Sequence, residues 1–212
     1  MTTTQTHKNS HPGVRYMHAL TLATEAYLSL FSRKEVQASA VQIIVQMNQA
    51  MAIAVENAEL AEAMLEKAVE QAEQLSERGY GGYAQAIGYA VHFSYFIPEG
   101  VAEAIVLPEL LKSYGAKAEQ KIASLARQTG IVAIDLPDDR TTRLFISWIE
   151  QQRVLFELPD HIAQMRPQDI PDIIDDTLDA TLHFYPAPVF YDAIDLEQFI
   201  TPLLPSAPEK NE

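Results

Sequence analysis

Cysteine is absent from this sequence, and positive charge is scarce. Without cysteine the chain has no disulfide, no thiolate metal ligand, no iron–sulfur cluster and no cysteine nucleophile, which agrees with a reducing cytoplasm. Only 15 Lys and Arg residues stand against 29 Asp and Glu residues, so the net charge is −14. Phosphate backbones and anionic membrane surfaces repel a chain of this charge. We therefore expect no nucleic-acid partner and no membrane partner.

Long hydrophobic runs are also missing. No uninterrupted apolar segment approaches the roughly 20 residues that a membrane-spanning helix needs, and residues 1–12 lack the positive start and apolar core of a secretory signal. These absences predict a soluble, cytoplasmic protein. The 212 residues are 48% hydrophobic, which is enough for one good-sized core. We expect a single domain at residues 13–201, between disordered tails at residues 1–12 and 202–212.

Alternating strand patterns are equally rare. Apolar residues recur every three or four positions in nearly every segment between turn signals, which indicates helices. One short extended piece is predicted at residues 131–137. Gly79, Gly81 and Gly82 interrupt the helical pattern, because so much backbone freedom disfavours a helix interior. The predicted fold class is all-α, with helices at about residues 16–30, 34–55, 59–76, 83–95, 101–114, 116–128, 138–156, 166–184 and 195–200.

Three local sequences stand out from this helical background. The first is HALTLATEAYLS, at residues 18–29. The second is PEGVAEAIVLP, at residues 98–108. The third extends from Leu158-Pro159 through DIIDDTLDATL, at residues 172–182, to YPAPV at residues 185–189.

Taken in this order, with the glycine turn between the first two, these sequences resemble the C-terminal helical half of the iron-containing alcohol dehydrogenases, the dehydroquinate synthase-like α-domain. The resemblance runs from about Gly13 to Ile200 and implies a compact multi-helix domain. In that family a separate Rossmann-like domain binds NAD(P), and the helical half supplies a divalent metal. No glycine-rich phosphate loop follows a strand in this sequence, so NAD(P) binding is not expected. We expect the helical half of such a dehydrogenase, standing alone.

The resemblance also assigns the metal ligands. The family's metal is held by an Asp and a His four residues apart on the first helix of this half, by a His after the glycine turn and by a His in a Pro-His-Gly turn. In this sequence these positions fall on His18, Leu22, Gln85 and Glu99. Leucine has no donor atom, and an amide oxygen is a weak ligand for iron or zinc. We therefore expect a degenerate metal site with no resident cofactor.

Two interpretations of the remaining polar residues stay open. His18 and Glu99, with a third ligand such as Glu103 or His92, could still hold a divalent iron or zinc ion. A further family histidine near the substrate falls on Tyr89, so Tyr89 and His92 are candidate residues of a small-molecule pocket. Against this, His92 has no acidic partner at helical spacing, and a structural bond to a backbone carbonyl is the simpler expectation.

The functional expectation follows from these losses. Scaffold positions keep the family's residue types while the metal ligands change, which favours a folded domain that acts by binding or association rather than as a dehydrogenase. Its partners would be a second copy of the chain, a small molecule or another protein. The alternative is half of a metal-dependent alcohol or aldehyde oxidoreductase, completed by a separate NAD(P)-binding subunit. A truncated relic without a selected function is the third reading.

Overall fold

The computed structural model describes residues 11–182 and 186–205, and this part of the chain is helical without strands. The predicted all-α class is therefore confirmed. Most of the two predicted tails and residues 183–185 lie outside the described residues. The nine α-helices of the described part are α1 (Pro12–Leu28), α2 (Lys34–Ile53), α3 (Ala58–Glu77), α4 (Tyr83–Tyr95), α5 (Glu99–Tyr114), α6 (Glu119–Gln128), α7 (Asp138–Leu155), α8 (Ile170–Leu182) and α9 (Ala193–Ile200). None of the described helices combines the length and the apolar character needed to cross a membrane.

Helix α1 lies at the centre of the core. Every residue from Gly13 to Leu28 is buried, and the helix contacts α2, α3, α4, α5 and α6. A helix enclosed on all sides needs apolar or small residues around its whole circumference, and most of α1 has them. Arg15, His18 and Glu25 are exceptions, because each buries an ionisable group at this central position. Helix α1 therefore places three ionisable side chains inside the core.

The first helix begins earlier than the pattern predicts, at Pro12 rather than near Tyr16. The ring of His11 accepts a hydrogen bond from the Gly13 N–H (3.1 Å), and Pro12 occupies the first helical position, where its missing N–H is not needed. At the other end, Leu203 is buried in a short 3-10 turn, and its carbonyl accepts from the Ile162 N–H (2.7 Å). Each contact therefore involves a residue, His11 or Leu203, that the sequence pattern assigns to a disordered tail.

Residues 131–137 do not form the predicted extended piece but a series of bends and turns. A single short strand has no neighbour with which to share its backbone hydrogen bonds in an otherwise helical protein. Here Arg127 supplies a partner instead: its guanidinium donates to the Leu136 carbonyl (2.6 Å) and to Asp138 (2.7 Å), where α7 begins.

Helices α1 and α5 pack unusually closely. A Cβ atom on Gly100 would lie 2.2 Å from the Val14 carbonyl oxygen, so only glycine allows the two backbones to approach at this point. Helix α5 starts directly after Pro98 and continues through Pro108 to Tyr114. The close contact brings the first turns of α5 against the middle of α1.

Candidate metal centre

Three buried side chains meet where α1 and α5 touch. His18 comes from α1, and Glu99 and Glu103 lie one turn apart on α5. His18 Nδ1 is 2.9 Å from Glu103 Oε2 and 3.1 Å from Glu103 Oε1, and it is 4.0 Å from Glu99 Oε2. Each residue offers one donor atom, and these atoms all lie within 4.8 Å of one another. We call His18, Glu99 and Glu103 the HEE cluster.

Small residues on the neighbouring helices make room for this cluster. Gly100 lets α5 approach α1, as described above. Gly88 of α4 lies against Glu103, and a Cβ at this position would be 2.9 Å from Glu103 Cγ. The exposed fractions are 3% for His18, 3% for Glu99 and 0% for Glu103, so solvent hardly reaches the three groups. The cluster is enclosed by α1, α4 and α5.

Burial controls the ionisation of the cluster. It raises the pKa of Glu103 well above the ordinary value, and it raises the pKa of Glu99 to about 7, with the neighbouring Glu103 charge as the second cause. Burial also lowers the pKa of His18, although the nearby Glu99 and Glu73 charges act in the opposite direction. Burial therefore disfavours the charged form of all three groups.

The four ligand positions that the resemblance assigns separate into two pairs. His18 and Glu99 lie in the HEE cluster, while Leu22 is 1% exposed and packs in the hydrophobic core. The Gln85 amide bonds to Ser76: its Nε2 donates to Ser76 Oγ (2.5 Å), and the Ser76 hydroxyl lies 2.9 Å from its Oε1. Glu103, one of the third ligands considered from the sequence, is the donor that joins the first pair.

His92 and Tyr89, the candidate pocket residues, lie outside this cluster of donor atoms. The His92 ring bonds through Nδ1 to the Ile97 carbonyl oxygen (2.8 Å), which is the structural arrangement expected for a histidine without an acidic partner on its helix. Tyr89 is 51% exposed on the outer side of α4. Three cavities, of about 680, 650 and 280 Å³, lie between the described residues. Neither Tyr89 nor His92 lines any of these three cavities.

Glu25 has a role that the sequence pattern does not reveal. Its side chain extends from α1 to the start of α4, where Oε1 accepts from the Ala84 N–H (2.8 Å) and Oε2 from the Gln85 N–H (3.1 Å). These N–H groups have no partner within their own helix, and Gly82, which precedes α4, has no side chain to cap them. Burial raises the pKa of Glu25 to about 8, although the two backbone bonds favour the ionised form. The only sequence signal is a lone acid inside an apolar helix.

The described residues thus form an all-helical domain in which a buried histidine and two buried glutamates meet at a helix contact. The family model described as "Fe-containing alcohol dehydrogenase family, C-terminal" matches residues 15–186. The chain therefore belongs to this family and represents its helical C-terminal domain. The resemblance seen in the sequence is confirmed.

Solved structures agree on the fold. A 1,3-propanediol oxidoreductase superimposes with a TM-score of 0.77 at 22% identity, covering 88% of this chain and 50% of its own. The alcohol dehydrogenase from Oenococcus oeni gives a TM-score of 0.79 at 21% identity, covering 90% of this chain and 50% of its own. An iron-containing alcohol dehydrogenase from Thermotoga maritima gives 0.67 at 17% identity, covering 87% and 46%.

The chain thus spans about half the length of these three structures, and at this identity they show the fold alone. No curated protein sequence matches the chain.

Proposed function

We propose that this protein acts by binding, as a family member without dehydrogenase activity of its own, and that the HEE cluster binds a divalent cation. The observation that supports this most directly is the position of Leu22. It occupies a ligand position of the family, yet its hydrocarbon side chain is 1% exposed and packs in the core. A second ligand position, Gln85, has its amide engaged by Ser76. The family's four-ligand shell cannot assemble from these residues.

The donor atoms that remain fit a cation held by three protein ligands, whereas the family's metal is held by four. One imidazole nitrogen and two carboxylates are ligands that zinc, iron and manganese accept, and three protein ligands leave an open position on the ion. Buried carboxylates are costly without a compensating charge, and a divalent ion would supply it. His18 would hold the ion from α1, with Glu99 and Glu103 holding it from α5. When bound, such an ion acts as a Lewis acid toward an oxygen-containing ligand.

Hydride transfer needs a second component that the described residues do not offer. A nicotinamide cofactor is usually bound by a parallel sheet with a glycine-rich loop at a helix N-terminus. The described part of this chain contains no strand, so it has no such sheet.

Calorimetric titration of the metal-stripped protein with Zn²⁺ or Mn²⁺ tests the cation site. We expect one site per chain, weakened at least about tenfold in His18→Ala and in Glu103→Gln, because each removes or neutralises a donor. His161→Ala is the matched control. This partly exposed histidine pairs with Asp160, and both residues are remote in sequence from the three residues of the HEE cluster. A wild-type protein that binds no divalent cation would contradict the cation site.

Enzyme assays test the other half of the proposal. The metal-loaded chain alone should neither bind NADH or NADPH nor oxidise primary alcohols with NAD⁺ or NADP⁺. Turnover by the isolated chain, lost on His18→Ala, would show that the protein is a self-sufficient dehydrogenase and would reject the proposal.

The HEE cluster also favours the second candidate function, an oxidoreductase half completed by a separate NAD(P)-binding subunit. A metal site at the α1–α5 contact is the contribution that such a half would make. This alternative predicts alcohol-dependent NAD(P) reduction only when the two polypeptides are combined. Glu103→Gln should then reduce turnover without preventing the association of the two polypeptides, as measured by size-exclusion chromatography.

A further inference from the structure

Most of helix α2 lies in one of the two longest stretches without Asp, Glu, Lys or Arg in the part of the chain that the structure describes. Residues 36–55 include no Asp, Glu, Lys or Arg, although 21% of the whole chain is charged. One side of α2 is buried in the core, through Ala40, Ile43, Ile44, Met47 and Ala50. The opposite side is not buried: Ala38, Gln42, Gln49 and Ala52 are exposed, and Val41 and Val45 are half-buried. Exposed helix faces normally carry charges, so this face is unusual.

A groove lies along this face, between α2 and α3, with a volume of about 680 Å³. We call it the α2–α3 groove. Gln46 of α2 fixes its width, because its amide donates to the Met64 carbonyl of α3 (2.8 Å). Apolar side chains and amide groups provide most of the lining, with one charged residue, Lys67; the lining residues are Val41, Gln42, Val45, Gln46, Gln49, Ala63, Met64, Lys67 and Gln71.

The charge of the molecule indicates what can cover this groove. Two copies of a chain with a net charge of −14 repel each other over most of their surface. Association is favourable only where the contact brings no like charges together, and the outer face of α2 meets that condition. A basic partner would instead select an acidic surface, and nucleic acid is repelled by the net charge. The occupant that the charge pattern favours is a second copy of this chain.

The dimensions agree with a dimer contact. A helix of 20 residues extends about 30 Å, and packed helices lie about 10 Å apart, so the α2–α3 face measures roughly 30 by 20 Å. That area is of the same order as the about 800 Å² that each partner buries in a stable complex. Lys67 lies beside this face on α3, and Glu66 and Glu70 flank it along the helix, so opposite charges can meet at the rim of such a contact.

We propose that two copies of the chain associate through their α2–α3 grooves, with the two α2 helices adjacent across a two-fold axis and the four helices packed as a bundle. The amides of Gln42 and Gln49 then hydrogen-bond between copies, and Val41 and Val45 are removed from water. This contact does not involve the HEE cluster, so it is independent of the proposed function.

Charge insertion tests the contact. Sedimentation equilibrium over a range of protein concentrations should show a dimer for the wild type. Gln42→Glu/Gln49→Glu, which preserves side-chain shape at exposed positions, should raise the dissociation constant at least about tenfold, because it places like charges in the interface. High salt should reverse part of this loss. Gln120→Glu/Gln151→Glu adds the same charge at exposed positions of α6 and α7 and should leave the dimer unchanged.

A cysteine experiment tests the symmetry, because the natural chain contains no cysteine. Val45→Cys places one thiol near the middle of α2, where a two-fold contact brings it close to its copy, so mild oxidation should give a cross-linked dimer. Val154→Cys, 66% exposed on α7, is the control and should stay monomeric on a denaturing gel.

Three results would overturn the proposal. The first is a wild-type protein that stays monomeric at high concentration, which would leave the groove to another protein or to solvent. The second is a dimer that Gln42→Glu/Gln49→Glu weakens no more than the control pair does. The third is cross-linking of Val45→Cys no faster than that of Val154→Cys. Circular dichroism of each variant establishes that it is folded.

Discussion

Gly82 and Glu25 depend on each other at the start of α4. A Cβ atom on Gly82 would lie 2.3 Å from Glu25 Oε1, so a side chain there would displace the carboxyl group that caps the helix. Gly82 has an extended backbone, with φ −154°, so the restriction is steric and does not come from the backbone angle.

We expect Gly82→Ala to lower the free energy of unfolding by about 2–3 kcal/mol, since it overpacks a buried site and disturbs two hydrogen bonds. Urea denaturation measures this loss. Gly130→Ala is the control: its φ of +72° makes alanine strained, but no atom lies within 4 Å of the added Cβ. That strain costs about 1–2 kcal/mol. If Gly82→Ala were no more harmful than Gly130→Ala, the close contact with Glu25 would be wrong.

Glu25 also makes stability depend on pH. Its pKa is about 8 in the folded protein, against an ordinary value of 4.5. The unfolded chain therefore loses this proton at lower pH than the folded protein does, and the stabilisation present below about pH 4.5 is lost as the pH rises toward 8. We expect the free energy of unfolding of the metal-free protein to fall across this range. Glu25→Gln, which cannot ionise, should make the decline shallower; an identical slope in wild type and variant would contradict the raised pKa.

Two residues of the HEE cluster can be predicted from the sequence, and the other contacts of the site cannot. His18 and Glu99 are found by the resemblance, because each occupies a ligand position and still carries a donor atom. Glu103 is recognised only as one of two third-ligand options, and the structure brings it to His18 across 85 positions of sequence. The contact between Glu25 and Ala84 spans 59 positions. Local periodicity contains no information about contacts at such separations, so the capping role of Glu25 could not be predicted.

At the scale of elements, the contact between α1 and α5 determines whether the HEE cluster forms. We expect Gly100→Ala to lower both stability and cation affinity, because the added Cβ would meet the Val14 carbonyl oxygen, a backbone atom that cannot move without shifting a helix. The expected loss is about 2–3 kcal/mol in the free energy of unfolding.

Thermal unfolding and cation titration of Gly100→Ala measure the two effects together. Gly115→Ala, at the end of α5, is the control: its φ is +50° but the surrounding space is open. It should lose stability without losing cation affinity. Equal cation affinity in Gly100→Ala and wild type would show that the close approach of the two helices is not needed for the site.

Helix boundaries show how far local sequence signals suffice. The bounds predicted for α4, residues 83–95, agree with the structure, because glycines precede the helix and a proline follows it. For α9 the sequence pattern starts the helix at residue 195, but the structure starts it at Ala193. The capping residue is Asp192, and Asp195 forms the reciprocal half of a capping box. The pattern predicts an extended piece at residues 131–137, and bends and turns form there instead, because the described part of the fold offers no partner strand.

For the whole molecule, cation binding should appear as added stability. A cation present at 100 times its dissociation constant adds about 2.7 kcal/mol to the free energy of unfolding if it binds only the folded state. We expect Zn²⁺ or Mn²⁺ to raise the unfolding temperature of the wild type. Scanning calorimetry with and without the cation measures the shift, and Glu103→Gln, which neutralises a donor, should show much less. A shift of equal size in Glu103→Gln would place the cation elsewhere.

The central position of α1 has a consequence for how the protein is made. Helix α1 is synthesised before its packing partner α5, which begins only at residue 99, so the nascent chain exposes the apolar α1 segment until α5 has also left the ribosome. A chaperone that shields the α1 segment during synthesis would therefore raise the yield of native protein.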